Sequence, residues 1–272
     1  MTDIISPKLN IPYVKMSGAG NDFIIFDART NPVNLSPEQI TIISSRKNIG
    51  CDQLIIIKNS SAANCLMEIY NSDGSLSGAC GNATRCVASI LMAEGNLQEV
   101  IIKTASNILK CWKNGELISV NMGRPKFSWQ EIPLAYETNT QEISLHGFQF
   151  SCLNIGNPHA VTFIKKPLTD KEFTDIGPKV ENDLIFLEKT NVEFAQILSD
   201  DLIEVRVWER GAGETLACGS GACAVAILAI KNNLVKSKEI TTRFKGGDLI
   251  IEWNGESVVM TGDYEKISER LI

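Results

Sequence analysis

The chain is poor in histidine, with only His146 and His159 in 272 residues. None of its eight cysteines falls into a Cys-x-x-C spacing. Together these absences exclude the common structural zinc frameworks. Positive charge is not in excess either: 26 Lys and Arg stand against 32 Asp and Glu, for a net charge of -6. That balance argues against a nucleic-acid partner, which requires a basic face. Runs of like charge and low-complexity tracts are missing. So are long apolar runs, since the stretch from Ala222 to Ile230 is far below the roughly 20 residues that span a bilayer. Residues Met1 to Lys8 carry no basic start followed by an apolar segment, so no signal peptide is expected. A cytoplasmic, non-membrane protein with reduced thiols is the expectation.

The composition is 44% hydrophobic and 21% charged, enough apolar material for two ordinary cores. The cysteines are Cys51, Cys65, Cys80, Cys86, Cys111, Cys152, Cys218 and Cys223. A chain this long needs no disulfide staples, so most are expected to be small buried residues, Cys86 and Cys223 foremost.

Two of the eight stand apart. The phrase Ala-Cys-Gly occurs at Ala79-Cys80-Gly81-Asn82 and again at Ala217-Cys218-Gly219-Ser220, with the two cysteines 138 residues apart. Each copy follows a Gly-rich loop and opens an apolar segment of helical character. Two duplicated halves would give this pattern, each placing one thiol at the start of a helix. There the unpartnered amides and the helix dipole favour a thiolate. Gly81-Asn82 and Gly219-Ser220-Gly221 are small enough to leave amides open to a carboxylate. Two such thiols, acting on opposite faces of one carbon, can serve as base and acid, which suggests a racemase or epimerase. Either cysteine alone reads first as a core thiol at a turn; the matched pair in matched context reverses that.

An α-proton lies roughly ten or more pKa units above a thiol, and each unit corresponds to about 1.4 kcal/mol. The site must therefore stabilise a carbanion heavily, with helix dipoles and a dry cleft as the available means. No lysine context marks a Schiff-base cofactor and no metal motif is present, so a cofactor-free, metal-free mechanism follows by elimination. Asn21-Asp22, Asn71, Asn157-Pro158-His159, Asn191 and Glu209-Arg210 all fall at predicted strand ends. Arg210 has the fork geometry to clamp a second carboxylate, and Glu209 suits an ammonium. Singly, each asparagine reads as a turn residue, Glu209-Arg210 as a surface ion pair and His159 as a structural histidine.

Periodicity predicts strands at 23–27, 53–58, 66–71, 100–104, 108–112 and 117–122, then near 148–154, 160–164, 191–198, 202–209, 239–245, 248–253 and 256–261. Helices are expected from Ser36 to about Ser45, over 82–93, near 169–181 and over 220–231. Asn114-Gly115 and Asn254-Gly255 are hairpin signals. Because Ala222 to Ile230 is apolar on every side, its helix should be buried all round. A sheet curled around it explains this, and packing between ordinary layers is the alternative.

Specific motifs then carry a resemblance to the diaminopimelate epimerase family, over about residues 12–272. They are Lys15-Met16-Ser17-Gly18-Ala19-Gly20-Asn21-Asp22-Phe23, Cys51-Asp52-Gln53, Asn71-Ser72-Asp73-Gly74-Ser75 and Ala79-Cys80-Gly81-Asn82. Gly156-Asn157-Pro158-His159-Ala160-Val161, Asn191-Val192-Glu193-Phe194 and the run from Trp208-Glu209-Arg210 to Cys218-Gly219-Ser220-Gly221 complete the set.

The resemblance implies an α+β fold of two pseudo-symmetric halves, each a mixed or antiparallel sheet rolled into a barrel around a central helix. The halves would be 1–124 and 125–263, with 264–272 returning to the first. It further implies a cofactor-independent isomerase taking L,L-diaminopimelate to the meso form, in the supply of lysine and peptidoglycan precursors. Cys80 and Cys218 would be the acid–base pair. Gly81, Asn82, Gly219 and Ser220 would hold the reacting carboxylate, and His159 and Glu209 the reacting amino end. Asn21, Gln53, Asn71, Asn157, Asn191 and Arg210 would recognise the distal end. The partner would be this small molecule, and a homodimer is compatible. Ala83 departs from the glycine common in the family, a change tolerated unless the position needs positive φ.

A racemase of proline or hydroxyproline is the competing enzyme, disfavoured because proline has no second amino-acid end for Arg210 and the asparagines. A redox sensor joining Cys80 to Cys218 is the non-enzymatic alternative; such a link is expected as an inactivation route.

Overall fold

The computed structural model describes residues 10–78 and 80–272. Residues 1–9, which include the Met1 to Lys8 stretch read for a signal peptide, lie outside the described residues, as does Ala79. The chain forms two compact units, residues 1–120 with 262–272, and residues 121–261.

In the first unit the elements are β1 (Pro12–Gly18), β2 (Asn21–Asp27), α1 (Pro37–Ser44), β3 (Gln53–Lys58), β4 (Cys65–Asn71), β5 (Leu76–Ser77), α2 (Gly81–Gly95), β6 (Glu99–Lys103), β7 (Ile108–Asn114) and β8 (Leu117–Gly123). After a short β9 (Ile143–Leu145), the second unit holds β10 (Phe148–Asn154), β11 (Pro158–Phe163), α3 (Asp170–Glu181), β12 (Asn191–Ile197), β13 (Leu202–Glu209), β14 (Gly213–Glu214), α4 (Gly219–Lys231), β15 (Glu239–Phe244), β16 (Gly247–Trp253) and β17 (Val258–Gly262). A last strand, β18 (Glu265–Leu271), belongs to the first unit and pairs antiparallel with β1.

The two units repeat one topology. β1–β2 is antiparallel, β2–β3 parallel, β3–β4 antiparallel, β4–β6 parallel and β6–β7–β8 antiparallel. β10–β11, β11–β12, β12–β13, β13–β15 and β15–β16–β17 follow the same series. Each parallel step spans a helix, as parallel pairing requires a long crossover.

Each sheet has a helix on both faces. Ile24, Phe26, Leu54 and Ile56 pack with Ile40 and Ile43 of α1, while Phe23, Ile25 and Ile55, equally buried, face the other way. That two-sided burial explains why these strands read as unbroken apolar runs. In the second unit Phe150, Val192 and Phe194 pack with Phe173 and Val180 of α3. On the opposite face α4 touches β10, β11, β12, β13, β15 and β16. Its residues from Gly221 to Ala229 are all buried. The sheet curls around α4, and the curled-sheet reading holds over flat layers. Burying Ile227 and Leu228 is worth about 1.5–3 kcal/mol each. Among the described residues no helix is long and apolar enough to cross a membrane.

Both central helices begin one residue earlier than periodicity predicts. Cys80 and Cys218 are themselves the N-caps, a role that sequence preference assigns to oxygen side chains. At the other end of α2, Asn96 takes the left-handed cap, at φ 48°. Ala83 has no positive φ and sits in α2, so the departure from glycine there is without strain.

Candidate active site

The two thiols have matched settings. Cys80 (φ -152°, ψ 105°) accepts from the Ala83 amide at 3.5 Å, and Cys218 (φ -133°, ψ 114°) from the Gly221 amide at 3.4 Å. Each sulfur thus sits on the first turn of a central helix, whose leading amides have no intrahelical partner. Gly81, Asn82 and Gly219 are buried beside them, and Ser220 is half-buried with its hydroxyl 3.5 Å from the Cys218 sulfur.

In the first unit a relay of polar groups holds the mouth of α2. Asn82 Nδ2 donates to Asn21 Oδ1 at 2.7 Å, and Asn21 Nδ2 donates to Asp52 at 3.3 Å. The fully buried Arg85 donates to Asn82 Oδ1 at 3.0 Å and to the Asp263 carbonyl at 3.0 Å. Asp22 and Asp52 cross-brace the starts of β2 and β3 and share Arg46. Arg46 and Lys15 hold the Asp22 carboxyl below the usual range against the opposing effect of burial, the largest single influence. Gln53 Nε2 donates to Asn71 Oδ1 at 3.0 Å across β3 and β4. Asn21, Gln53 and Asn71 therefore stand at one end of one sheet: two strand starts and one strand finish.

The second unit builds the same end from other chemistry, with Asn157 and His159 at the start of β11, Asn191 opening β12, and Glu209 and Arg210 closing β13. Asn191 Nδ2 donates to the Pro158 carbonyl at 2.9 Å, and its Oδ1 accepts from the Arg210 amide at 3.0 Å, tying the three strand ends together. The Arg210 guanidinium, on the exposed rim, donates to the Glu188 carbonyl at 2.9 Å. Glu181 braces the same corner by accepting from Trp208 Nε1 and the Gly211 amide. The Trp208 ring lies so close to Gly177 of α3 that a Cβ there would meet it at 2.8 Å.

The electrostatics of this second half are unusual. Burial, then the neighbouring Glu209 and Glu193 carboxylates, push the Cys218 thiol well above the ordinary range, against the Ser220 hydroxyl and the Gly221 amide. Burial likewise raises the Glu209 carboxyl, opposed by hydrogen bonds from Thr215 and Cys218 and by His159. In this state Cys218 is a thiol, the form that donates a proton.

Every residue singled out in the sequence lies at one of these two sheet ends or on the helix start beside it. Sequence reasoning gave no role to Asp52, Arg85 or Glu193. For Arg85 in α2 and Glu193 in β12 the signal was available: a charged residue inside an apolar helix or a buried strand is rare unless it is paired.

A duplicated mixed sheet curled around a central helix is a fold this chain shares with solved structures. A predicted epimerase from Pseudomonas aeruginosa superposes with a TM-score of 0.70 at 15% identity, over 96% of this chain and 99% of that one. At that identity the likeness establishes the fold. Identity at the family level comes from sequence. The profile of the family described as diaminopimelate epimerase matches residues 13–128 and 151–267. The diaminopimelate epimerase of Acidiphilium cryptum (strain JF-5) is 42% identical over 264 residues, 95% of each chain. That of Pelagibacter ubique (strain HTCC1062) is 43% identical over 252 residues, 89% of this chain and 91% of the relative. The chain belongs to the diaminopimelate epimerase family.

Proposed function

We propose that this protein converts L,L-diaminopimelate to the meso form by moving one α-proton between two cysteines, in lysine and peptidoglycan precursor supply. The observation that carries the reading is the N-cap position of Cys80 and Cys218 on the central helices of two repeated units. One cysteine, as thiolate, takes the proton as the C–H bond breaks. The other, as thiol, delivers a proton to the opposite face, so the pair ends with its protonation states exchanged. In this reading the amides of Gly81, Asn82, Gly219 and Ser220 serve as donors to the reacting carboxylate, where carbanion charge delocalises.

Glu209 and His159 serve the reacting amino group. Asn21, Gln53, Asn71, Asn157, Asn191 and Arg210 serve the distal end, which carries a second ammonium and carboxylate. The chemistry needs reduced thiols, which suits a cytoplasmic site of action.

The test is incubation of reduced protein with L,L-diaminopimelate in heavy water, following stereochemistry and α-proton exchange. Meso product carrying solvent deuterium is expected, and Cys80→Ala and Cys218→Ala should each abolish it. Wild-type turnover in Cys218→Ala would refute the two-base reading.

A further inference from the structure

Helix α3 ends on Glu181, a residue only 6% exposed. A charged side chain so enclosed is rare unless it is paired. Its partners are donors on the chain around Glu209 and Arg210. Glu181 Oε2 accepts from Trp208 Nε1 at 2.8 Å, and Oε1 accepts from the Gly211 amide at 2.9 Å. An indole N–H and a backbone N–H can only donate, so both oxygens of Glu181 accept and the roles are fixed. One carboxylate thus grips positions 208 and 211, on either side of Glu209 and Arg210.

The turn it grips joins β13 to β14 and carries Gly211 and Gly213 at φ 77° and 82°, where the backbone is permissive and costly to order. The Ala212 amide closes the turn on the Glu209 carbonyl at 3.1 Å. The amides of Arg210 and Gly211 reach outside it, to Asn191 Oδ1 at 3.0 Å and to Glu181. The turn after β4, at the matching place in the first unit, is held by its own residues instead. There the Asn71 amide donates to the Ser75 carbonyl, Gly74 to the Asn71 carbonyl and Ser75 to Asp73 Oδ1, each at 2.9 Å. Trp208, for its part, is wedged against α3. A Cβ on Gly177 would meet its ring at 2.8 Å, and the Phe173 ring centre lies 6.0 Å away. Helix, indole and turn are thus locked to one another.

We infer that Glu181 is a positioning residue: by fixing the turn it sets the root of the Arg210 side chain, so that the guanidinium is already in place for the distal carboxylate of the substrate. The inference deepens the proposed function and rests on its assignment of Arg210 to that carboxylate. The tip of Arg210 is tethered by the Glu188 carbonyl at 2.9 Å, and Asn191 and Glu181 complete the hold at the root. A clamp ordered beforehand loses less freedom on binding, and a bidentate contact to a carboxylate needs the guanidinium fork in register. Glu209, the other residue inside the grip, has its own support, since the Thr215 hydroxyl donates to it at 2.5 Å. Glu181 therefore governs binding of the distal end more than proton transfer.

Amide hydrogen exchange on the intact wild-type protein reads the grip without any substrate. Gly211 is exposed, and an amide on an open turn exchanges freely. Bonded to Glu181, it should exchange at least about tenfold more slowly than an unprotected amide, and Glu181→Gln should release it. Glutamine keeps the length but offers one acceptor oxygen, so one of the two N–H groups meets an NH2. The same variant should raise KM for diaminopimelate about tenfold while kcat changes less than about threefold. A mere support of the fold would lower Tm and the active fraction, hence the apparent kcat, and leave KM where it was; that result would overturn the proposal. Glu181→Asp, which keeps both acceptors on a shorter arm, should recover part of the KM. Free exchange of Gly211 in the wild type would also overturn it. Should the wild type not turn over diaminopimelate, the proposed function falls, while Gly211 exchange still decides whether Glu181 holds the turn.

Discussion

Replacing Gly221 by alanine sets two effects of opposite sign against each other. Gly221 has no positive φ and lies in the first turn of α4, so propensity alone favours alanine by about 0.8–1 kcal/mol. The added Cβ, however, would lie 2.8 Å from Glu193 Oε1, 3.2 Å from Cys218 Cβ and 3.4 Å from its sulfur. The carboxylate must retreat by roughly half an ångström to reach ordinary contact distance. It cannot do so freely, because it is enclosed and bonded to His159 at 2.6 Å. Overpacking costs about 1–3 kcal/mol, and weakening a buried charged hydrogen bond about 1.5–3 kcal/mol. The net expectation is a loss of about 2–4 kcal/mol, a fall in Tm of about 5–10 °C for a protein of this size, and turnover reduced at least about tenfold. Thermal melts followed by circular dichroism, with an epimerase assay on the same preparation, measure both. A Gly221→Ala protein as stable and as active as wild type would refute the argument that Glu193 and Cys218 occupy that space.

Further expectations follow from the buried titrating groups. Burial pushes the thiols of Cys51 up to about 11 and of Cys65, Cys86 and Cys111 up to about 12, and raises Cys152 and Cys218 as well. The folded state keeps these protons where the unfolded chain releases them, so the stability they support is complete below about pH 8.5–9 and is lost as pH rises toward the folded values. Each thiol removes about 1.4 kcal/mol per pH unit. The six together remove about 8 kcal/mol per unit, comparable to a domain's whole stability. Unfolding within one to two units above about pH 9 is expected by circular dichroism, and a native spectrum at about pH 11.5 would contradict it. Glu209, also raised by burial, stabilises the fold only while protonated, so its contribution is lost as pH rises above the unfolded value near 4.5. Glu209→Gln should therefore gain stability at neutral pH relative to about pH 4.5 while losing turnover; equal melting curves at both pH values would argue against this. Iodoacetamide should label half-buried Cys80 before buried, protonated Cys218, as peptide mass spectrometry would show, and the reverse order would count against Cys218 as the resting acid.

What the amino-acid sequence determined by itself was local and repeated. The twin Ala-Cys-Gly phrases, the apolar runs behind them and the Asn-Gly hairpins are short-range signals. In the structure Gly115 and Gly255 carry the positive φ such turns require, and the all-round apolar Ala222 to Ile230 is the enclosed helix its pattern predicts. The helix starts were misjudged by one residue because sulfur is a weak cap that propensity does not anticipate, yet Cys80 and Cys218 fill that place. The return of the last strand to the first unit was an expectation of the family resemblance, but tertiary structure alone decided its register on β1, the reach of Arg85 from α2 to Asp263, and the union of His159 with Glu193. These join residues far apart in the chain, and nothing in a strand's own pattern names its distant neighbour. Burial also acted there: it changes a carboxylate or thiol from a solvated charge into a group whose proton depends on what encloses it, as at Glu209 and Cys218.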